Sequence, residues 1–532
     1  MPLAAFFARG ELPRLPKYPK VAQLYVQNTR AQNFAVVRQT GAKMASWTDA
    51  YKKWDAFEDS DEDETTINDE LVVTPHAPRE TPATAADVFL RGPILDAVQR
   101  SRVYGDGKAF VDMPLKVAPG QALSAFRSVY AGDKDELRQF IEAHFGAAGS
   151  DLVRAPLPKD YTMEFPGRVD ADHVELMAAI HAMWPKLLRV SRDDFPERRT
   201  LIARRFPFVV PGGRFREGYY WDSYWIVKGL LRSGMRETAL GIVRNFLDDV
   251  RNFGYVPNGN RTYYAGRSQP PLLAEMVSLL DDDALTAEAA PLIEIELSWW
   301  SGRRASAVNG LARYGSDMSE PRPESYLEDV ETAAKAFTPN PEADLREILK
   351  ERTEAGATIY GEIRAAAESG WDFSSRWLKG DGLETIRTRD IIPVDLNAFL
   401  YKAERRLAAF HAKLGQQDDA ARFAEKARTR RDLMNATFWD PSRKRWRDVL
   451  KDGTYSSPDP VLSDYAPLWA GIRPPDGDVA GLVENLEASG LICEFGVRCT
   501  CVTTGEQWDA PNAWPPLVDM LVEGLLGLDH DG

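Results

Sequence analysis

Between residues 395 and 438 the chain shows a helical pattern twice with a turn between, and this limits the fold more than any other feature. In Asp395–Leu414 the residues Leu396, Phe399, Leu400, Ala403, Leu407 and Phe410 recur at i, i+3, i+4 spacing, which places them on one helix face. Gly415 supplies a stop, and a second amphipathic segment, Asp418–Phe438, follows at once. Two helices joined so closely make an αα-hairpin. Similar helical segments are predicted at Glu175–Val190, Trp225–Phe253, Pro271–Trp300, Glu328–Phe337 and Pro341–Gly370, and alternating strand patterns are few beyond Gly92. No repeat of fixed period accompanies them, which disfavours a regular solenoid. The expectation is an all-α toroid of paired helices whose long loops carry the site.

Those loops share a composition. Pro211–Trp225 reads PGGRFREGYYWDSYW, Asn258–Pro271 NGNRTYYAGRSQPP, Pro321–Tyr326 PRPESY, Glu368–Trp377 ESGWDFSSRW and Gln507–Pro516 QWDAPNAWPP. Aromatic rings stack on the C–H faces of sugars, and Arg, Asn and Gln offer several donors to hydroxyls. One such turn is ordinary buried structure, but five in one chain point to a polar pocket. The chemistry such a pocket suits is acetal hydrolysis, which needs one protonated and one ionised carboxyl group and no metal. The six histidines are scattered without H-x-H or H-E-x-x-H spacing. Gly105-Asp-Gly107 lacks the further glycine of a dinucleotide loop, and no Walker sequence occurs. No cofactor is expected.

Composition narrows the partners. With 66 basic and 80 acidic residues, the net charge of −14 argues against nucleic acid and anionic membranes and suits a neutral substrate, although solubility alone explains most of it. No run of about 20 apolar residues exists to span a membrane. The opening MPLAAFFARGELPR has too short an apolar run for a signal peptide, so a cytoplasmic location is expected. Cys493, Cys499 and Cys501 lie close together with no histidine near them and are expected to be free thiols. Residues 1–85 look like a partly disordered acidic extension, and 86–532 like the catalytic domain. Asp59, Asp61, Asp63, Thr65 and Glu70 match the ligand positions of a calcium loop, but Glu64 stands where the turn glycine belongs, which favours a solvated acidic run.

PGGRFREGYYWDSYW and QWDAPNAWPP resemble the two signature motifs of glycoside hydrolase family 37, the trehalases. The likeness begins at Gly92–Gln99 (GPILDAVQ) and runs through Pro516. It implies an (α/α)6 barrel that splits α,α-trehalose into two glucoses with inversion at one anomeric carbon. It also implies that Asp372, the Asp of SGWDFSSRW, is the general acid, with Gly370 and Trp371 shaping the subsite. Arg214, Arg267 and Arg322 match the arginines of the family pocket. Trp221, Asp222, Asn258, Gln269 and Glu324 match its other binding positions. The plainer alternatives are that Asp222 and Asp509 are helix N-caps and that Arg214 pairs with Glu217. An acid also needs a raised pKa, so burial beside Trp371, or a nearby second carboxylate, is expected to push Asp372 up while the arginines grip hydroxyls and hold the partner base ionised.

Two departures stand out. Tyr104–Phe110 reads YGDGKAF where the family has D-S-K-T-F. The family's base is a Glu in a Gly-rich segment beyond QWDxPN, and no Gly-Glu-Tyr or Gly-Phe-Gly-Trp occurs in this chain. No residue is matched to the base, Glu523 included, and the barrel is expected to be incomplete at its C-terminal end. The alternative to a trehalose hydrolase is therefore a shortened homologue that binds trehalose or another glycan without cutting it.

Overall fold

The computed structural model describes residues 83–528, apart from breaks at 130–131, 171–172, 193, 307–309, 338–344, 457, 459 and 495. The acidic run Asp59–Glu70 and nearly all of the extension assigned to residues 1–85 lie outside the described residues. Five helices pack one on the next as an inner ring: Tyr220–Arg232, Leu273–Leu280, Val394–Lys413, Ala466–Ala470 and Pro515–Leu528. The first and last of these helices are joined where Lys228 Nζ donates to Asp519 (2.5 Å) and Glu523 (2.8 Å) and Trp225 Nε1 donates to Asp519 (3.0 Å). Arg236–Phe253, Asp283–Arg303 and Gln417–Phe438 lie behind it as an outer layer. Leu345–Ser369 pairs with Tyr326–Ala336 and delivers the acid segment.

The hairpin at 394–438 shows why these residues fold this way. All six apolar positions of the first helix are buried, with His411 and Lys413 favourably placed near its negative end. Gly415 (φ +76°) then turns the chain. The outer helix buries only Phe423, Ala427, Arg430, Met434 and Phe438, a stripe at three- and four-residue steps. Arg430 fastens the two helices through both oxygens of Glu404 (2.9 and 2.8 Å).

Three of the expected segments need correction. Trp225–Phe253 is two helices, Tyr220–Arg232 and Arg236–Phe253, because Gly234 (φ +75°) reverses the chain between them. Pro271–Trp300 is also two, since Asp281 (φ +41°) ends one and the Asp282 side chain caps the next by accepting from Leu285 N at 2.8 Å. Glu175–Val190 stops as a helix at Leu187, and Leu188–Ser191 becomes the middle strand of a small antiparallel sheet with Leu152–Arg154 and Phe208–Val209.

A smaller apolar core, with Phe89, Phe110, Phe126, Phe140 and Phe145 at its centre, sits under the N-terminal helices and takes in Tyr219, Tyr263 and Tyr264 from the barrel loops. The three cysteines are free thiols. Among the described residues no helix is long and apolar enough to cross a membrane.

Candidate active site

The acid segment leaves Leu345–Ser369 through Gly370, whose φ of +78° suits glycine. A Cβ there would stand 2.9 Å from the Trp514 ring. Trp371 is buried, and its carbonyl accepts from Trp377 Nε1 at 3.0 Å. Below it Arg376 is locked by Asp395 (2.6 Å) and Asp448 (2.8 Å). Asp509 of QWDAPN is fully buried and accepts from Ser374 Oγ (2.8 Å), Ser375 Oγ (2.8 Å) and Ser375 N (2.9 Å). Trp508 N donates to Phe373 O at 2.9 Å. Asp509 is therefore the tie between two distant loops and not the cap of an α-helix.

The Trp514 ring gathers the aromatic wall. It stacks on Trp508 (4.5 Å between centroids), tilts towards Trp221 (5.4 Å) and meets Trp371 edge-on (5.9 Å). Both signature segments and the acid segment thus contribute to one wall.

Three polar residues meet the acid there. Protein packed around Asp372 pushes its pKa up to about 6, against the opposing pull of Arg322 and Arg267. The side chain remains open to water on one side, so solvent softens this push until a ligand displaces that water. Burial also pushes Glu324 up, but Arg267, Arg322 and Arg364 outweigh it and hold that carboxylate below its usual value. Arg322 is fixed by both oxygens of Asp329 and lies 5.2 Å over the Phe373 ring. Arg267 lies over the Tyr264 ring (5.0 Å) and donates to Glu324 Oε1 at 2.8 Å through Nη2. Among the described residues its Nε and Nη1 have no hydrogen-bond partner, nor do Glu324 Oε2 and Trp221 Nε1, although all four atoms are buried.

The remaining predicted residues play several parts. Trp221 N donates to Gln269 Oε1 at 2.8 Å. Asn258 braces the loop, its N donating to Arg267 O (3.0 Å) and its O accepting from Tyr220 N (3.1 Å). Asp222 lies in the first turn of Tyr220–Arg232, whose N-cap is Tyr219, so the N-cap alternative fails for it too. Burial raises its pKa to about 6. Arg214 is half-exposed and pairs with Asp106 through two 2.7 Å bonds, not with Glu217. Among the described residues no hydrogen bond joins Arg214 to Asp372, Glu324 or Arg267. Glu217 instead takes Lys108 (2.8 Å) and Tyr264 Oη (3.1 Å). Asp106 and Lys108 both lie in YGDGKAF, the segment that departs from the family pattern. Glu523 is occupied by Lys228 and by Trp469 Nε1 (2.9 Å). Trp508, Trp514, Arg364 and Glu368 were not singled out from the sequence. The two tryptophans and Glu368 lay within quoted loops, but nothing in the local spacing marks Arg364.

The family model described as Trehalase matches residues 102–531. The chain is 37% identical to a Homo sapiens trehalase over 470 residues, which is 84% of this chain and 78% of that one. It is 36% identical to an Apis mellifera trehalase over 474 residues, 83% and 73% of the two chains. Among solved structures it resembles neutral trehalase from Saccharomyces cerevisiae, with a TM-score of 0.52 and 26% identity over 61% of this chain. That match spans 64% of the yeast chain, just under two thirds of its length.

Proposed function

The chain belongs to the trehalase family, with its (α/α)6 barrel, and we propose that it hydrolyses α,α-trehalose to two glucoses with inversion. One observation carries the reading: beneath the same arginines, Asp372 is raised to about 6 while Glu324 is held down. A carboxyl that keeps its proton towards neutral pH is what a general acid needs, and a carboxylate held ionised beside it can accept from hydroxyls. In this reading Asp372 gives its proton to the glycosidic oxygen as the C1–O bond breaks. Water adds to the anomeric carbon from the opposite face and passes its proton to a carboxylate. Arg267, Glu324 and Trp221 use their unpartnered atoms on sugar hydroxyls, and the tryptophan wall takes the C–H faces. The comparisons do not favour the non-cutting alternative.

Glucose release from trehalose by the purified full chain tests this. Asp372→Asn is expected to slow release by about 10²–10⁴-fold. Because the acid works only while protonated, kcat/KM is expected to fall as pH rises through about 6. Release by Asp372→Asn at the wild-type rate would remove Asp372 from its role. A wild-type protein that leaves trehalose intact would remove the reaction.

A further inference from the structure

Arg267 is a long side chain with two buried donors that meet no acceptor among the described residues, so its usefulness depends on where its backbone is held. Both of its neighbours are tied to one buried ion pair. Glu368 Oε1 accepts from Ser268 N at 2.9 Å. Arg304 Nη2 donates to Gly266 O at 3.0 Å. The two side chains meet through Arg304 Nε and Nη2, each 2.8 Å from a Glu368 oxygen. Glu368 Oε2 also accepts from Gly315 N at 2.8 Å. Glu368 belongs to Leu345–Ser369, the helix that runs directly into Gly370 and Asp372. The helix bearing the acid thereby holds the loop bearing the arginine.

We propose that the Arg304–Glu368 pair is a positioning device that sets Arg267 against Asp372, an inference that rests on reading those two residues as sugar grip and acid. A pair serving only the fold would stabilise the chain without coupling to Arg267. A positioning pair acts through Arg267, and a misplacement of about 1 Å at a reacting centre costs on the order of 100-fold in rate.

The test is a double-mutant cycle on the full chain with trehalose as substrate. Glu368→Gln keeps the side-chain shape but replaces one acceptor with an amide and removes the charge facing Arg304. Its kcat/KM is expected to fall about 100-fold, mostly through KM, with the pH profile unmoved. In an Arg267→Ala background the same change is expected to cost less than about threefold, because the residue it positions is gone. Hydrogen exchange in residues 258–271 is expected to speed up in Glu368→Gln, whether or not trehalose is cut. Gly315→Ala is the gentler variant, for use if Glu368→Gln does not fold. Its Cβ would stand 3.1 Å from Arg304 Cδ and nudge the guanidinium, for a several-fold loss that the Arg267→Ala background again abolishes. Losses that multiply in full, or unchanged exchange in 258–271, overturn the proposal. A wild-type protein that releases no glucose overturns only the reaction, and hydrogen exchange then decides the positioning alone.

Discussion

Two buried polar clusters lie on either side of Tyr264, and they are built in opposite ways. On one side Lys108 binds Asp112 (2.5 Å) and Glu217 (2.8 Å), Arg261 binds both oxygens of Asp151 (2.6 and 3.1 Å), and Tyr263 Oη donates to Asp112 (2.7 Å). Apart from Arg261 Nε, no buried side-chain atom of these residues lacks a partner. On the other side Arg267 uses one of its three nitrogens, Glu324 one of its two oxygens, and Trp221 leaves its indole N–H unused. An unpartnered buried polar group costs about 1–3 kcal/mol, so a cluster of them is tolerated where something from outside completes it. The saturated cluster holds the N-terminal layer on the barrel. The unsaturated one has room for hydroxyls.

Arg261→Ala and Arg267→Ala break the comparison most directly if it is wrong. Removing Arg261 strands Asp151 in a dry interior and leaves Asp112 and Glu217 to share Lys108, at an expected cost of about 3–5 kcal/mol in chemical denaturation. Removing Arg267 takes away two unmet donors along with the ion pair, and Glu324 keeps Arg322 and Arg364 nearby. Its stability is therefore expected to change far less. The loss appears instead in kcat/KM for trehalose, by about 100-fold, the worth of one or two charge-assisted hydrogen bonds. Equal losses of stability in the two variants would mean that both clusters are structural.

What was legible in the sequence follows the same division. Arg267, Arg322, Glu324 and Asp372 stand in short runs whose mixture points to a polar pocket, and it is the resemblance to the family that names them one by one. The inner hairpin at 394–438 was legible because its stripe is unbroken. The partner of Arg214 was not, because Asp106 lies 108 residues away and Glu217 only three. Glu368 opens a quoted loop, but its role was equally hidden, since its bonds reach Arg304 and Ser268 across 64 and 100 residues. The helix break at Gly234 carried the same glycine signal as Gly415 and was missed, whereas the break at Asp281 rests on a left-handed backbone at a residue other than glycine.

Glu296 sharpens the comparison from a third position. Its carboxylate is buried, accepts from Tyr220 Oη at 2.6 Å and pairs with no cation among the described residues, and burial raises its pKa to about 7. It is under-served like the pocket residues, yet it faces a tyrosine that also accepts from Leu273 N (2.8 Å) instead of a ligand. Such a group should be a plain cost that function does not recover. The sign follows from linkage. Below the ordinary glutamate pKa, near 4.5, the side chain is neutral folded or unfolded and costs nothing. As pH rises from there to about 7 the unfolded chain loses its proton first, so the fold loses stability, and above about 7 the loss is constant. Glu296→Gln removes the titration. It is expected to stabilise the protein by about 1–2 kcal/mol at pH 8, after allowing for the amide's own burial, and hardly at all at pH 4.5. Denaturation at the two pH values measures it, with kcat/KM for trehalose unchanged. A loss of activity in that variant would place Glu296 with the pocket residues, and the distinction between reserved and merely unsatisfied groups would fail.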